Sequence, residues 1–594
     1  MRTPGLGRQV VRAGLIGATA IIYCAMVGLI EQLDPRKIVG SQLSIAGVLF
    51  LGLPPIIAAY VATRPRQVRG EEVQPGIGEA ALAGALVGLI VAAITMAAIG
   101  LANLLGIDTT RNIFKSVSPT LLGILYLHRS AVSGLAILSV VIVLLGAFGG
   151  VLRACSVGVR RPIVIGLSSV VGFGMLQRII PTAMDQLGLP KAWLYSTTYL
   201  GLTWFGAVLT FAVAAGLTVL FMRKGSQMQR GIVWMTGGER QARTAEVIVL
   251  VVILLLLPFV AGTILSQILG SVGIYVLMGL GLNIVVGYAG LLDLGYVAFF
   301  AVGAYITGVL TGGLLITTLG LKAPAFHGGL SFFIALPIVI LAAALVGVLI
   351  GAPVLRLRGD YLAIVTLGFG EIARALFTSD WLKDIFGGTQ GLTKIPAAPI
   401  GSLDFRNPRT FYYLVLVFCI LAAYIAWRLQ ESRVGRAWNA MREDEQVAEA
   451  VGVSSTRYKL LAFALGGAIG AVGGALFAVQ IGSLNDASFT ILVSITTLAI
   501  VILGGMGSIP GVVVGALVLI GVPGLLSEFQ AYQLLVYGAV LMAVMILRPQ
   551  GLIPNVRRTR ELHEEERAQD KWAGDLVGDE DVVAEPSPLG EGSG

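Results

Sequence analysis

Apolar runs of about 20 residues recur along almost the whole chain, and this repetition limits the folds that the chain can adopt. A helix of that length crosses a hydrocarbon core of ~30 Å. Inside lipid, a helix satisfies its own backbone hydrogen bonds, which an open sheet cannot do. We therefore predict an all-α, polytopic membrane helical bundle with about 16 transmembrane segments, some of them candidates for re-entrant helices. The runs centre near 13–30, 40–62, 80–105, 132–152, 162–180, 200–222, 246–267, 269–288, 295–311, 331–350, 361–378, 411–428, 459–480, 489–507, 511–527 and 532–547.

The composition agrees with a chain that lies mostly in lipid. Of its 594 residues, 56% are hydrophobic and only 12% are charged, whereas a soluble domain carries about 25% charged residues. The formal net charge of +8 does not predict nucleic-acid binding, because the arginines are scattered through short loops between apolar runs. That distribution is typical of topology determinants in a multi-pass protein of the cell inner membrane.

Arginine-rich loops on alternate sides of the chain indicate its orientation. They lie near 64–69, 153–161, 223–243 and 428–459, and the positive-inside rule places them and both termini in the cytoplasm. The apolar stretch after Arg12 is predicted to be an uncleaved first span. The basic segment 225–244 divides the chain in two. The tail 556–594, rich in Glu, Asp, Pro and Gly, is predicted to be a disordered, charged cytoplasmic extension.

A long polar stretch between two apolar runs, Leu429–Lys459, has the features of a short cytoplasmic helix. Acidic residues at Glu443, Asp444 and Glu445 suit the positive N-terminus of a helix. Val447, Ala448 and Val451 would share one face, and Gly452 is a natural C-terminal stop. By composition alone, a solvated charged loop is the better interpretation.

Two glycine clusters interrupt apolar runs about 200 residues apart. The first surrounds Asp293, and the second surrounds Ser508 and Pro510. Paired interruptions indicate inverted repeats and a pathway near the bilayer midplane, while simple close packing of small residues is the alternative. Asp293 is a candidate functional residue, or else it lies in a short loop at the membrane edge. Glu371 and Arg374 are three residues apart and can pair.

Several motifs identify a family resemblance. Glu449-Ala-Val-Gly452 resembles the EAA–Gly element of importer permeases, with Val in place of the second Ala. The more specific stretches resemble LivM-like permeases of branched-chain amino-acid ABC importers, over roughly 246–555. They are Arg442–Glu445, Gly281–Tyr296, Leu355–Glu371 and Arg548–Leu552. Residues 1–240 have no evident counterpart in that family.

The resemblance implies a domain arrangement and a set of site residues. Residues 245–555 would form the permease core, 1–224 an accessory transmembrane region and 225–244 a cytoplasmic linker. The ATPase coupling loop would contain Arg442, Glu443, Asp444, Glu445, Glu449, Ala450 and Gly452. The translocation pathway would contain Asn283, Gly287, Gly290, Asp293, Gly295, Gly504, Gly505 and Gly507. A periplasmic contact would involve Gly388, Thr389 and Gln390.

The resemblance also implies partners and a function. The partners would be two cytoplasmic ATPases, a second, LivH-like permease and an extracytoplasmic substrate-binding protein, with an amino acid as substrate. The sequence contains no G-x-x-x-x-G-K-[ST] phosphate loop, so we expect a transport subunit rather than an enzyme, without cofactor or metal. A urea or short-chain amide importer is the alternative within this class, and an ion-coupled secondary transporter is the alternative outside it.

The arginine bias generates a topology prediction. Reporter fusions at residues near 235, 440 and 570 should report a cytoplasmic location, and a fusion near 395 should report an external one. An external signal at 440 would contradict the assignment of a cytoplasmic coupling loop.

Overall fold

The computed structural model describes most of the chain. The described residues are 6–64, 66–68, 71–73, 75–105, 118–127, 129–177, 179–196, 201–235, 239–312, 330–354, 360–393, 395–397, 404–525, 534, 537–538, 541–542, 544–545, 548 and 550–554. The acidic tail 556–594, the stretch Leu355–Gly359 with its two arginines, and most of the last predicted span lie outside the described residues.

Contacts divide the chain into two units, Met1–Gly262 and Thr263–Gly594. The first unit consists mainly of long apolar helices, each of which satisfies its own backbone hydrogen bonds. Its helices are α1 (Leu6–Val27), α2 (Leu29–Leu33), α3 (Leu53–Ala62), α4 (Ile77–Leu105), α5 (Pro119–Leu125), α6 (Ala131–Ala154), α7 (Val157–Met175), α8 (Ile179–Gln186) and α9 (Trp204–Met235). A π-helix, Gly47–Gly52, leads into α3.

Two small antiparallel ribbons lie in the first unit. They pair β1 (Lys37–Val39) with β2 (Leu43–Ser44) and β3 (Arg66–Val68) with β4 (Glu71–Val73). The predicted span at 40–62 is therefore only partly helical, since its first residues form the β1–β2 ribbon.

The tenth helix, α10 (Glu239–Leu282), enters the second unit and is interrupted at Gly262, whose backbone is not helical. We predicted two separate spans here, 246–267 and 269–288. The break lies earlier than predicted, at a glycine that follows the helix-weakening Pro258. The described backbone of the basic segment 225–244 is helical, in α9 and α10. The accessory, linker and core assignment stays a prediction.

The second unit contains the remaining helices. They are α11 (Val297–Thr311), α12 (Phe332–Val354), α13 (Asp360–Thr378), α14 (Lys383–Phe386), α15 (Pro408–Glu431), α16 (Arg433–Glu443), α17 (Glu445–Ala450), α18 (Ser455–Ile481), α19 (Ile491–Gly504), α20 (Ile509–Ala516) and α21 (Val522–Leu525). Shorter turns lie at 283–288, 380–382, 388–390, 486–489 and 517–521, and β5 (Leu392–Thr393) pairs with β6 (Ser483–Leu484).

The predicted fold class is confirmed. Among the described residues, 11 helices are long and apolar enough to cross a membrane. Three further apolar helices are shorter, including α11, which is buried on nearly every side. The predicted total of 16 spans is not confirmed.

The core of the second unit is organised around α18, which packs closely against α11. A Cβ added at Gly474 would lie only 2.0 Å from the Phe300 carbonyl oxygen, and one at Gly303 would lie 2.1 Å from the Ala471 carbonyl oxygen. Small residues allow this backbone approach, and packing of this kind is what holds helices together in lipid.

This contact predicts that alanine lowers stability at one helical glycine but does not lower it at another. Gly474→Ala should lower the stability of the purified protein by about 1–3 kcal/mol, because the new methyl group overpacks the contact with α11. The control is Gly368→Ala in α13, where a Cβ would meet nothing within 4 Å. It should be neutral or stabilising by up to about 1 kcal/mol. Thermal unfolding in detergent measures both, and equal melting temperatures would show that α11 and α18 do not approach this closely.

Candidate functional site

The segment 432–452, here called the coupling segment, follows the long helix α15 and begins with a sharp change of direction. The Ser432 hydroxyl accepts hydrogen bonds from the amides of Val434 (3.2 Å) and Gly435 (3.3 Å), so it caps the N-terminus of α16. Ser432 has extended backbone and is the one residue between α15 and α16, so this cap separates the two helices.

One buried indole holds α16 against the start of α18. Trp438 is fully buried, and its Nε1 donates a hydrogen bond of 2.8 Å to the carbonyl oxygen of Tyr458. An ion pair supports the next turn, with Lys459 Nζ 2.5 Å from Glu445 Oε1. The coupling segment is therefore anchored to the membrane-spanning helix that follows it, and is not a free solvated loop.

The short helix α17 has well-formed ends. The Asp444 carboxylate caps it by accepting from the amides of Gln446 (2.8 Å) and Val447 (3.0 Å). Of the three acidic residues predicted at its N-terminus, Glu445 lies in its first turn, whereas Glu443 is the last residue of α16.

The predicted stop at Gly452 is confirmed, and it is a Schellman motif. Gly452 has φ of +95°, its amide donates to the Glu449 carbonyl oxygen (3.0 Å), and the Val453 amide donates to the Ala448 carbonyl oxygen (3.0 Å). A side chain at Gly452 would have open space around it, so the backbone angle alone selects glycine here.

The residues that were predicted to share one apolar face of α17 are not all buried. Ala448 is 2% exposed, whereas Val447 is 59% and Val451 is 75% exposed. Glu449 and Ala450 are exposed as well, and Ser455 donates a short hydrogen bond to Glu449. The outer surface of α17 thus presents two valines and an alanine to its surroundings.

Arg442 connects the coupling segment to the first glycine cluster. Its Nη1 donates a hydrogen bond of 2.7 Å to the Gly287 carbonyl oxygen. Its stem passes so close to Gly290 that a Cβ there would lie 2.8 Å from Arg442 Cγ. Gly290 also has φ of +72°. Two groups of residues that the sequence predicts separately are therefore in direct contact.

The residues 283–296, here called the broken segment, interrupt the helical path between α10 and α11. They begin with a π-helix, Asn283–Tyr288, and continue as irregular backbone to Tyr296. The Asn283 Oδ1 accepts from the Gly507 amide at 2.8 Å, which brings the two glycine clusters together. Such non-helical backbone is tolerated at membrane depth only where protein covers it or a cavity adjoins it.

Asp293 lies inside this segment and is 1% exposed. Its Oδ1 accepts from the Gly295 amide at 2.8 Å, while Thr366 Oγ1 on α13 accepts from the Leu294 amide at 3.0 Å. Within the described part of the chain, Asp293 Oδ2 and Asn283 Nδ2 are buried without a hydrogen-bond partner. Buried polar groups without a partner cost free energy, so these two atoms are candidates for a functional role.

The other predicted pathway glycines have different surroundings. Gly295 packs against the Thr366 carbonyl group and Gly504 against Gly511, each at backbone contact, so close packing accounts for both. Gly505 lies beside the carbonyl oxygens of Gln550 and Ile553. Of the second cluster, only Gly507 donates to a polar side chain of the broken segment.

The predicted external segment forms a short turn between α14 and β5. Gly388 is buried, whereas Thr389 and Gln390 are exposed. Nearby, the predicted pair of Glu371 and Arg374 is confirmed at 3.4 Å. Arg374 also contacts Asp486 at 3.1 Å, a partner that lies 112 residues away and had no signal in the sequence.

Trp438 and Lys459 were not predicted as site residues. A signal existed for Lys459, since it is a charged residue in the first turns of an apolar helix. A signal existed for Trp438 as well, because Val434, Ala437, Trp438 and Met441 recur at the spacing of one apolar helix face.

Comparisons with known proteins agree on one family. The family model described as "Branched-chain amino acid transport system / permease component" matches residues 264–546. The chain is 40% identical over 331 residues to the high-affinity branched-chain amino acid transport system permease protein LivM of Salmonella typhimurium. That alignment covers 52% of this chain and 74% of the relative.

Two relatives of lower identity are also branched-chain amino acid transport permeases by name. The probable branched-chain amino acid transport permease protein LivM of Methanocaldococcus jannaschii is 27% identical over 325 residues, covering 49% of this chain and 93% of its own length. The permease protein LivH of Salmonella typhimurium is 29% identical over 192 residues, covering 32% of this chain and 58% of its own. No solved structure matches the chain.

The ion pair of the coupling segment predicts an unequal response to removal of each partner. Lys459 is only 5% exposed, whereas Glu445 is 21% exposed. Glu445→Ala should therefore cost about 3 kcal/mol of stability, because it leaves a buried ammonium without its carboxylate. Lys459→Met should cost about 1 kcal/mol or less, because the carboxylate can turn to water. Thermal unfolding in detergent gives both values. The exposed Glu443→Ala, within about 0.5 kcal/mol of the unmodified protein, is the control, and the reverse order would show that the pair is not buried as described.

Proposed function

Since this chain belongs to the family of branched-chain amino-acid transport permeases, we propose that it is the membrane-spanning subunit of an ATP-driven importer for branched-chain or related hydrophobic amino acids. The names of its relatives support this substrate class over urea or short-chain amides. An ion-coupled secondary transporter would have no use for an exposed docking helix, so the coupling segment argues against that alternative.

The contact of Arg442 with the broken segment is the observation that carries the proposal. The exposed surface of α17, with Val447, Ala450 and Val451, would dock into a groove of a cytoplasmic ATPase. Closure of the two ATPases on ATP would displace the coupling segment. Arg442 would then move with it and pull on the Gly287 carbonyl, in a stretch where a π-helix already departs from regular hydrogen bonding.

The broken segment would be the part of the pathway that this subunit contributes. Asn283, Gly287, Gly290 and Asp293 belong to it, and the Gly507 amide contacts Asn283. An outward or inward state would expose the unsatisfied oxygen of Asp293 and the amide of Asn283. An amino acid has an ammonium and a carboxylate group that such polar atoms can contact. The close-packed Gly295 and Gly504, with Gly505, would provide the rigid walls rather than substrate contacts.

Other subunits complete the transporter in this proposal. A second, LivH-like permease would form the other half of the pathway, and two ATPases would bind from the cytoplasm. An extracytoplasmic binding protein would carry selectivity and contact the turn at Gly388, Thr389 and Gln390. The protein would lie in the cell inner membrane with both termini in the cytoplasm. Residues 1–224 would form an accessory bundle outside the pathway, with 225–244 as the connection to the core.

Two substitutions in the coupling segment test the proposal. Gly452→Val should strain the Schellman stop by about 1 kcal/mol or more, because a β-branched residue disfavours positive φ. Ala450→Asp should place a charge inside the ATPase groove. Both variants should insert normally but show reduced ATPase co-purification and reduced uptake of labelled leucine in cells that carry the complete transporter.

Matched controls separate these effects from general damage. Gly452→Asn should retain function, because Asn tolerates the left-handed region far better than Val. Ala450→Ser adds little volume and should retain function as well. Full ATPase binding and full leucine uptake in both test variants would show that the coupling segment is only a connector. Uptake of labelled urea but not of leucine by the unmodified transporter would instead support the alternative substrate.

A further inference from the structure

A basic cavity lies in the first unit where three helices end. Its volume is about 250 Å³. It adjoins the C-termini of α3 and α6 and the N-terminus of α7, and no part of the coupling or broken segments contributes to it. Residues that line it include Thr63, Arg153, Cys155, Ser156, Val157 and Arg160.

Two guanidinium groups at this cavity, those of Arg153 and Arg160, lie over the aromatic ring of Tyr60. Arg153 Nη1 donates a hydrogen bond of 2.9 Å to the Tyr60 hydroxyl, and its Cζ lies 5.0 Å from the centre of the Tyr60 ring. Arg160 Cζ lies 5.9 Å from the same ring centre. Both side chains are half-buried. Neither forms a salt bridge with a carboxylate of the described residues.

The helix ends leave a net positive charge in the cavity. The N-terminus of α7 carries about +0.5 charge, and the C-termini of α3 and α6 carry about −0.5 each. Added to two guanidinium groups, these leave an excess of about +1.5 charges. The carbonyl oxygen of Ser156 accepts from the amides of Val159 and Arg160 (3.0 and 2.9 Å). The two preceding amides have no acceptor within the helix and point out of its end.

The position of the cavity selects the kind of anion. The helices α6 and α7, of 24 and 19 residues, are both long and apolar enough to cross a membrane. Their junction therefore lies at the level of the lipid headgroups. Arginine forks bind phosphate oxygens in a two-pronged geometry, and the arginine bias assigns this side to the cytoplasm, where anionic lipid attracts basic residues.

We propose that this cavity binds a phosphate group, with Arg153, Arg160 and the N-terminus of α7 as its ligands. The phosphate could be carried by an anionic phospholipid of the cytoplasmic leaflet or be free in solution. This site is independent of the transport function proposed above, since none of its residues belongs to the pathway or to the coupling segment.

The test compares neighbouring arginines in the full-length protein, purified in detergent and stripped of lipid. Arg160→Gln removes one ligand. The matched control is Arg161→Gln, which removes the same charge from the next residue, an exposed one that does not line the cavity. Arg153→Lys retains the charge but not the fork. Native mass spectrometry with phosphatidylglycerol, with phosphatidylcholine as reference, measures lipid binding, and the melting temperature with inorganic phosphate measures free anion binding.

We expect Arg160→Gln to weaken binding of the phosphate-bearing probe by about fivefold or more, and Arg161→Gln to leave it unchanged. Arg153→Lys should have an intermediate effect. An effect on phosphatidylglycerol retention identifies the lipid as the source, and an effect on the phosphate-dependent melting shift alone identifies the free anion. Equal binding of both probes by the unmodified protein and Arg160→Gln overturns the proposal. Equal losses in Arg160→Gln and Arg161→Gln overturn it too, because they would show only a general effect of net charge.

Discussion

The hydrogen bond from Arg442 to the Gly287 carbonyl oxygen joins the two parts of the second unit that differ most in physical character. On one side lies the coupling segment, a pair of capped helices held by Trp438 and by the pair of Lys459 with Glu445. On the other lies the broken segment, where the backbone is not α-helical although the surrounding side chains are apolar. The Gly287 carbonyl oxygen lies in the last turn before the helix ends at Tyr288, so it needs a donor other than the helix, and Arg442 provides one.

The second unit contains both closely packed contacts and contacts that can rearrange. The approach of α11 to α18 is at backbone contact, and small residues leave no room for movement there. In the broken segment, by contrast, Asp293 and Asn283 each hold one satisfied and one unsatisfied polar atom within the described residues. An arrangement of this kind can change partners at little cost, whereas the close-packed helices beside it cannot. The broken segment is therefore the part of the second unit that can rearrange most readily.

The first unit has a different organisation. Its helices expose large apolar side chains over much of their length, such as Leu104, Val132 and Leu144, as expected where lipid covers them. Its charged groups gather at helix ends, and Arg153 and Arg160 beside Tyr60 are the clearest instance. The buried polar side chains among the described residues of this unit, such as Thr95 and Thr210, are neutral, whereas the second unit also buries the ionisable Asp293 and Lys459.

Local physical rules made much of this protein predictable from its sequence. The length of the apolar runs determines a helical membrane protein, since no other structure satisfies the backbone of such segments in lipid. The stop at Gly452 and the pairing of Glu371 with Arg374 follow from spacing within one helix. The glycines around Asp293 predicted an interruption of the helix there. The break at Gly262 and the distant contacts of Arg442 with Gly287 and of Arg374 with Asp486 were decided only by the tertiary structure. Asp486 lies 112 residues from Arg374, and Gly287 lies 155 residues from Arg442. Periodicity and spacing carry no information about which distant carbonyl or carboxylate a long side chain will reach.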